Sequence, residues 1–254
     1  MAQTMHGKVA LVTGGSSGIG RATALVFARE GARLVIQDMD AAGGKETVEK
    51  VGDLGSEGVF VKGDVSKRDD VQNAVKEAVG AFGRLDYAFN NAAPSSHRAP
   101  MHEYDEDAWD LNIAVLLKGV WLGMKYQIQH MLENGGGAIV NTSSIMGQVG
   151  STYGSCAYVA AKHGVLGLTR SAALEYGKRG VRVNAVCPGN IHTSRLDHLL
   201  ERDPGFLERE TLKSPVGRIG ESQEVAEAVV WLCSDAASFV TGHAMAVDGG
   251  YLAQ

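Results

Sequence analysis

VALVTGGSSGIG, at residues 9–20, is the stretch that decides the fold of this chain. Its apolar first half belongs to a predicted strand at residues 8–13. The residues after it recur at the spacing of one buried helix face, which predicts a helix that opens near Gly18 and ends at Gly31. Glycines between a strand and a helix let the backbone approach a pyrophosphate, and the helix N-terminus offers it free N–H groups. The stretch therefore predicts a dinucleotide-binding turn, with a purely structural glycine turn as the alternative.

Six further short runs of β-branched and apolar residues follow, separated by stretches of helical period. They lie at residues 33–37, 59–62, 85–90, 138–142, 182–186 and 244–247. Strands that alternate with helices are typical of βαβ units. We therefore predict an α/β fold with one doubly wound, parallel, seven-stranded sheet and helices on both faces. Residues 194–214, charged with both signs, precede a helix that begins near Ser222 and are predicted to form a short mobile lid or a surface helix.

The composition is that of an ordinary globular protein. At 254 residues, the length suits a single domain, which we expect to span residues 1–254. The net charge of −5 comes without a basic block, which argues against a nucleic-acid partner or an anionic membrane surface. No long apolar run or signal-peptide pattern is visible, so we expect a cytoplasmic protein. The three cysteines are too few and too scattered for a disulfide framework or a zinc site, and we expect reduced packing residues.

Asp38 follows the second predicted strand, eighteen residues after Gly20. A carboxylate at this place can accept hydrogen bonds from both hydroxyls of an adenosine ribose, although an exposed loop acid is the alternative. The same carboxylate repels a 2′-phosphate, and the neighbouring Ser16, Ser17 and Met39 supply no cation. The sequence therefore favours NAD(H) over NADP(H).

Tyr158 and Lys162 lie four residues apart, and therefore on one face of a predicted helix. An ammonium beside a phenol stabilises the phenolate, which makes Tyr158 a candidate general acid and base. The same spacing is common on surface helices. The pair alone does not decide the function.

Seven segments, taken together and in order, resemble the motifs of the short-chain dehydrogenase/reductase family. They are the glycine turn, Gly63-Asp64-Val65, Asn90-Asn91-Ala92-Ala93, Asn141-Thr142-Ser143-Ser144, Tyr158-Val159-Ala160-Ala161-Lys162, Pro188-Gly189-Asn190-Ile191-His192-Thr193 and Val247-Asp248-Gly249-Gly250. The resemblance covers essentially the whole chain. It implies a Rossmann fold that binds NAD(P) and transfers a hydride between nicotinamide and a secondary alcohol or ketone, without a metal.

The resemblance also implies roles for the matching residues. Ser144, with Ser143 as the alternative, would hydrogen-bond the substrate oxygen. Tyr158 would pass the proton, and Lys162 would stabilise the phenolate and hold the nicotinamide ribose. Asn90 would brace the sheet beside the cofactor. The other implied cofactor contacts are Gly14, Ser17, Gly18, Ile19, Gly20, Asp38, Asp64, Val65, Asn91, Ala92, Pro188, Gly189, Ile191 and Thr193.

One position departs from the family pattern. The family carries an asparagine three residues before a glycine in the helix after the fourth strand, where it completes a proton relay, but this chain has Leu116 before Gly119. Asn112 lies four residues earlier, about 6 Å along a helix axis, so it shares the face but not the position. Either a helix irregularity brings Asn112 into the site, or the relay runs differently.

The substrate side and the assembly are read from the same resemblance. The residues expected to border the substrate pocket are Ser95, Ser96, His97, Gln148, Val149, Tyr153, Asn190, His192 and residues 194–214. His192 and Arg195 could meet a polar or anionic substrate, with a solvated loop as the alternative. The predicted helix from about residue 106 to 131 is apolar on more than one side. The resemblance implies the family's usual homotetramer, paired through this helix and the one that bears Tyr158.

The sequence thus predicts an NAD(H)-dependent oxidoreductase (EC 1.1.1.-) acting on a small-molecule secondary alcohol or ketone. Two other functions stay open. The first is a catalytically idle NAD(H)-binding scaffold or sensor. Leu116 at the family's asparagine position favours this function, whereas the retained Ser144, Tyr158 and Lys162 count against it. A sugar-nucleotide epimerase shares the tyrosine and lysine, but we would expect a longer chain with a sugar-binding region at its C-terminal end.

Overall fold

Seven parallel strands form the central sheet, in the order β3-β2-β1-β4-β5-β6-β9. The computed structural model describes residues 5–94, 97–193, 196, 203 and 205–254. The strands of the sheet are β1 (Val9–Thr13), β2 (Arg33–Asp38), β3 (Gly58–Lys62), β4 (Tyr87–Asn90), β5 (Gly137–Thr142), β6 (Val181–Pro188) and β9 (Ala244–Val247). Two further short strands, β7 (Ile191–His192) and β8 (Gly220–Glu221), pair with each other. All seven predicted strands, and the predicted doubly wound α/β class, are confirmed.

The helices connect these strands. They are α1 (Gly18–Arg29), α2 (Ala41–Asp53), α3 (Arg68–Phe82), α4 (Glu106–Asn112), α5 (Gly119–Glu133), α6 (Cys156–Tyr176), α7 (Phe206–Leu212) and α8 (Ser222–Cys233). A π-helical segment, Ile113–Lys118, joins α4 to α5. Short 3₁₀ turns cover Met101–Glu103, Ile145–Gly147, Gly177–Arg179, Asp235–Ala237 and Tyr251–Ala253. The predicted helix starts near Gly18 and Ser222 are confirmed, as is the helix end at Gly31, where φ is +88°.

The strands are apolar throughout because both faces of the sheet are covered. In β1, Ala10 and Val12 pack into the core shared with α1, α2 and α8, whereas Val9 and Leu11 pack into the core shared with α3, α5 and α6. Side chains alternate between the faces of a strand, so a strand buried on both faces needs a continuous apolar run. This is why periodicity alone locates the strands in the sequence.

The connections reverse direction beside β1. The chain leaves β1 for β2 and β3 on one side, and then returns past β1 to β4, β5 and β6 on the other. In doubly wound sheets a crevice opens at the carboxyl ends of the strands at this reversal, and ligands bind there. The glycine turn after β1 and the Asn90-Asn91 segment at the end of β4 flank this crevice.

The predicted lid is described only in part. Residues 194, 195, 197–202 and 204 lie outside the described residues, as do Ser95 and Ser96. The described remainder includes α7. Within the described part of the chain, no helix combines the length and the apolar character needed to cross a lipid bilayer.

The three cysteines are free thiols. Cys187 and Cys233 are buried, and burial raises the pKa of Cys233 to about 12. Such a thiol stays protonated near neutral pH and packs as a small apolar side chain.

Candidate active site

A cleft of about 460 Å³ opens at the crevice between β1 and β4 and holds most of the predicted site residues. Ser144, Tyr158, Lys162 and Asn112 line it together with the glycine turn and the segment after β6. The predicted cofactor contacts that line it are Gly14, Ser17, Gly18, Ile19, Asp38, Asn91, Tyr158, Lys162, Pro188, Gly189, Ile191 and Thr193. Gly20, Asp64, Val65 and Ala92 are not among the lining residues.

The glycine turn is shaped so that no side chain fits at two of its positions. A Cβ on Gly14, where φ is +65°, would lie 2.8 Å from the Cα of Ala92. A Cβ on Gly20 would lie 2.0 Å from the carbonyl oxygen of Gly14. Ser17 precedes α1 without a side-chain hydrogen bond that caps the helix, so the first N–H groups of α1 face the cleft unsatisfied by a cap. This is the arrangement that binds phosphate at a helix N-terminus.

Asp38 ends β2 at the edge of this turn, and two backbone amides hold its carboxylate. One oxygen accepts from the amide of Ser16 and the other from the amide of Asp40, both at 3.0 Å. Arg21, the first basic residue after the turn, donates to Glu46 at 2.8 Å and to the hydroxyl of Thr47 at 3.0 Å. The guanidinium is therefore held by α2 instead of being free to meet a phosphate beside Asp38.

Asp64 and Val65 lie beyond the third strand and are engaged with the protein itself. The Asp64 carboxylate accepts from the amide and the hydroxyl of Ser66, and Val65 packs with Val71 and Leu122. Neither residue lines the cleft, so the expected contact of Asp64 and Val65 with the cofactor stays a prediction.

Buried side-chain amides join the two strands β4 and β5 to the helices that pack on them. The amide of Asn90 donates to Asn141 at 2.9 Å and to Gln127 at 3.0 Å, and accepts from Gln127 at 2.8 Å. Asn141 donates in turn to the hydroxyl of Thr169. This network ties β4 and β5 to α5 and α6, which is the bracing expected of Asn90.

Lys162 and Tyr158 share the cleft-facing side of α6. Lys162 is buried, and its ammonium donates to the carbonyl of Thr142 at 2.6 Å. The same ammonium lies 5.5 Å from the centroid of the Tyr158 ring. The pair predicted from the sequence is therefore brought together by one helix.

The two serines after β5 differ in what their hydroxyls do. Ser143 donates to the carbonyl of Lys162 at 2.9 Å, so its proton is committed to the backbone. Ser144 accepts from the amide of Met146 at 3.1 Å, which leaves its own proton for another acceptor. Both line the cleft, and this difference favours Ser144 as the donor to a substrate oxygen.

Asn112 lies in the cleft wall, at the end of α4. Its side chain is 3% exposed and donates to the carbonyl of Ala108 at 2.8 Å. The π-helical segment Ile113–Lys118 begins at the next residue, and at its end the amide of Gly119 donates to the carbonyl of Ala114, five residues back. Leu116, within that segment, is 1% exposed and is not among the lining residues. The helix irregularity that the sequence left open is present, and Asn112 faces the cleft.

Charged and aromatic side chains form the outer end of the cleft. Glu210 on α7 is 3% exposed and accepts from Asn190 and Lys213, each at 2.7 Å, and from the hydroxyl of Tyr153. Burial alone would raise the pKa of Glu210, but these three hydrogen bonds outweigh it and hold that pKa below its usual value. Hydrogen bonds to Glu210 and Tyr153 raise the pKa of Lys213.

The sequence anticipated only part of this outer end. Its predicted pocket residues His97, Tyr153 and Asn190 do line the cleft, whereas Gln148 and Val149 do not. His192 does not line it either, and lies 3.9 Å from a Glu221 oxygen. Arg195 lies outside the described residues.

Leu196, Phe206 and Glu210 also line the cleft, and all three belong to residues 194–214, which were expected to border the pocket. Arg98 lines it too and was not predicted, because it sits in an irregular loop. The burial of Glu210 was not predicted either, because its segment has the composition of a charged surface. Glu210 corrects that expectation. It is buried because three hydrogen-bond donors meet its carboxylate.

Known proteins resemble this chain over nearly its whole length. The family described as enoyl-(acyl carrier protein) reductase matches residues 14–252. A short-chain dehydrogenase/reductase of Aspergillus oryzae, astE, is 44% identical over 97% of this chain and 95% of its own length. The cyclohexanol dehydrogenase of Acinetobacter sp. is 42% identical over 99% and 97%. The cis-4-hydroxycyclohexanecarboxylate dehydrogenase of Sinomonas cyclohexanicum is 44% identical over the full length of both chains.

Solved structures also resemble this chain over nearly its whole length. Carveol dehydrogenase from Mycobacterium avium in complex with NAD superposes with a TM-score of 0.94, at 30% identity over 99% of both chains. An Agrobacterium tumefaciens protein with bound NADP superposes with a TM-score of 0.90, at 32% identity over 99% of both chains. Similarity of sequence and of structure, carried from one end of the chain to the other, leads to one conclusion: the chain belongs to the short-chain dehydrogenase/reductase family.

Proposed function

We propose that this oxidoreductase uses NAD(H) to interconvert a ring-bound secondary alcohol and its ketone. The observation that carries the proposal is the convergence of Ser144, Tyr158 and Lys162 with the glycine turn in a single cleft. The proton donor Tyr158, the hydrogen-bond donor Ser144 and the phosphate-binding glycine turn thus border the same cleft. This is the set of groups that hydride transfer at a carbonyl carbon requires.

The cofactor half of the cleft fits a nicotinamide dinucleotide. The bare backbone at Gly14 and Gly20 and the uncapped start of α1 suit a pyrophosphate, and Asp38 suits the hydroxyls of an adenosine ribose. Two observations favour NAD(H) over NADP(H). The Asp38 carboxylate opposes a 2′-phosphate, and Arg21, which could offset it, is engaged by Glu46 and Thr47. When bound, the cofactor supplies the hydride acceptor or donor.

The side chains around the substrate oxygen manage its proton and its charge. In the oxidation, Tyr158 accepts the hydroxyl proton of the alcohol while Ser144 donates a hydrogen bond to the same oxygen. In the reduction, Tyr158 returns the proton to the oxygen. Two O–H donors aimed at one oxygen stabilise the negative charge that develops there. Lys162 is held by the carbonyl of Thr142, so its ammonium stays beside the phenol.

Two observations support a ring alcohol as the substrate class. Two relatives that match this chain end to end are named for cyclohexanol and for a hydroxycyclohexanecarboxylate. The substrate end of the cleft is walled by apolar and aromatic side chains suited to a saturated ring, namely Ile145, Met146, Tyr153, Leu196 and Phe206. An idle NAD(H)-binding protein would have no need of the complete serine, tyrosine and lysine set that the cleft retains.

The proposal is tested by following the absorbance of reduced nicotinamide with a panel of cyclic and open-chain secondary alcohols. We expect turnover of cyclohexanols with NAD⁺. Tyr158→Phe should nearly abolish turnover and leave NADH affinity within a few fold, since it removes only the acidic hydroxyl. Tyr176→Phe, at the far end of the same helix, is the matched control. A Tyr158→Phe enzyme that retained a tenth of the wild-type kcat would exclude the assigned role of Tyr158.

A further inference from the structure

The outer end of the cleft carries a cation that no described carboxylate neutralises. Arg98 lines the cleft, and its guanidinium carbon lies 5.5 Å from the ring centroid of Tyr153 and 5.9 Å from that of Phe206. Within the described residues its only specific contacts are with these two rings. Aromatic faces hold a guanidinium in place without consuming its N–H donors.

The other charges at this end cancel. Glu210 is buried and paired with Lys213 at 2.7 Å, with further hydrogen bonds from Asn190 and Tyr153. The remaining charged groups that line the cleft are Asp38, at the adenosine end, and Lys162, beside Tyr158. Among the described residues, Arg98 therefore leaves one uncompensated positive charge at the outer end, in a chain whose net charge is −5.

A second polar group at this end also lacks a partner among the described residues. The Nε2 atom of His97 is buried and makes no hydrogen bond there, while the ring packs edge-on against Tyr104 at 4.8 Å between centroids. His97 lines the same cleft. Because this nitrogen is inaccessible from the cleft, Arg98 and not His97 offers hydrogen-bond donors to a ligand there.

We propose that Arg98 forms a carboxylate subsite, so that the substrate is a ring alcohol or ring ketone that bears a carboxylate group. This inference rests on the proposed function and specifies its substrate. A planar guanidinium matches a carboxylate through two parallel N–H···O hydrogen bonds. A carboxylate carries the single negative charge that one uncompensated cation suits. A phosphate dianion would exceed it beside the buried Glu210.

A binding experiment tests the subsite independently of turnover. The NADH-saturated protein is titrated calorimetrically with cyclohexanecarboxylate and with cyclohexanecarboxamide, a neutral compound of the same shape. We expect the acid to bind at least about tenfold more tightly than the amide, and added salt to weaken only the acid. In Arg98→Met the two affinities should converge to within about threefold, whereas Arg98→Lys should keep part of the difference.

The matched control is Arg179→Met, because Arg179 also lies over a tyrosine ring, at 5.8 Å from Tyr176, outside the cleft. It should leave the ratio of acid to amide affinity unchanged. Equal affinities in the wild type, absence of acid binding, or an unchanged ratio in Arg98→Met would each overturn the subsite.

Kinetics separate this inference from the proposed function. The ratio of kcat/KM for cis-4-hydroxycyclohexanecarboxylate to that for cyclohexanol should fall at least about tenfold in Arg98→Met. Turnover of both alcohols with a ratio independent of Arg98 refutes the subsite and leaves the proposed function intact. Arg98-dependent binding of the acid without turnover of any ring alcohol supports the subsite and refutes the proposed function.

Discussion

Removal of the Asn112 amide should slow proton transfer without weakening cofactor binding. Asn112 is buried in the cleft wall, and the π-helical segment that follows it contains Leu116. The leucine has no polar group with which to hold a water molecule. We therefore propose that Asn112 is the amide that orders water between Lys162 and solvent. For Asn112→Ala we expect kcat to fall and NADH affinity to stay within a few fold.

The magnitude follows from what the amide can contribute. A positioned relay group is typically worth 10² to 10⁴-fold. Water that enters the space left by the side chain will restore part of this. We therefore expect kcat to fall by about 10 to 100-fold, or about 1.4 to 2.7 kcal/mol.

The effect on folding should be smaller and separable from the effect on turnover. Asn112→Ala removes one hydrogen bond, from the amide to the carbonyl of Ala108 at 2.8 Å. Such a bond contributes about 1 kcal/mol, which corresponds to a Tm change of about 2–4 °C in a chain of this size. A loss of this size leaves the enzyme folded in the assay, so it does not by itself lower kcat.

The assay is kcat against pH in H₂O and D₂O for wild type, Asn112→Ala, Leu116→Asn and the double variant. Asn112→Ala should increase the solvent isotope effect, because proton transfer becomes slower relative to the other steps. Leu116→Asn alone should change little, and in the double variant it should recover part of the lost rate. The reasoning is refuted if Asn112→Ala keeps at least half of the wild-type kcat over the whole pH range. A clear gain in Leu116→Asn alone would show instead that the chain lacks a relay amide.

Three further predictions concern the cofactor, the lid and the assembly. Wild type should prefer NAD⁺ over NADP⁺ by at least about tenfold in kcat/KM, and Asp38→Ala should reduce that preference; equal use of both by the wild type contradicts the role of Asp38. Glu210→Gln should lower Tm by about 4 °C above pH 5. Because the folded pKa of Glu210 lies below its unfolded value of about 4.3, the difference in Tm between wild type and variant should shrink as the pH falls below 4, and a difference that persists at pH 3 contradicts the role of the buried Glu210–Lys213 pair. The predicted homotetramer would cover Trp109 and Trp121, which are 40% and 44% exposed in the single chain. Light scattering should therefore give the mass of about four wild-type chains and a lower mass for Trp121→Glu, whereas a monomeric wild type refutes the assembly.

The features that the sequence predicts well are those with local causes. Each strand of the sheet is an apolar run because both of its faces are covered, and the glycine turn is recognisable because its backbone excludes side chains. Tyr158 and Lys162 are separated by one helical turn. In each case the residues that determine the structure lie within a few positions of one another.

The π-helical segment could not be predicted in this way. Its sequence, Ile113–Lys118, is apolar enough to continue an α-helix, and one extra residue in a turn leaves no mark on the composition. Only in the folded chain does the segment separate Asn112, in the cleft wall, from Leu116, which does not line the cleft. The burial of Glu210 was not predicted for another reason. Its hydrogen-bond donors Tyr153 and Asn190 lie 57 and 20 residues away, so its burial depends on contacts that no local pattern records.

This difference between local and distant causes also separates the two halves of the site. The groups for hydride transfer lie on or directly beside regular elements: the start of α1, the residues after β5 and the first two turns of α6. The group we assign to substrate choice, Arg98, comes from the loop after β4. A substitution at Arg98 can therefore change the charge that the substrate must carry without moving Tyr158 or Lys162. If the carboxylate subsite is real, the charge preference for substrates should be alterable at Arg98 while Tyr158 stays indispensable for every substrate.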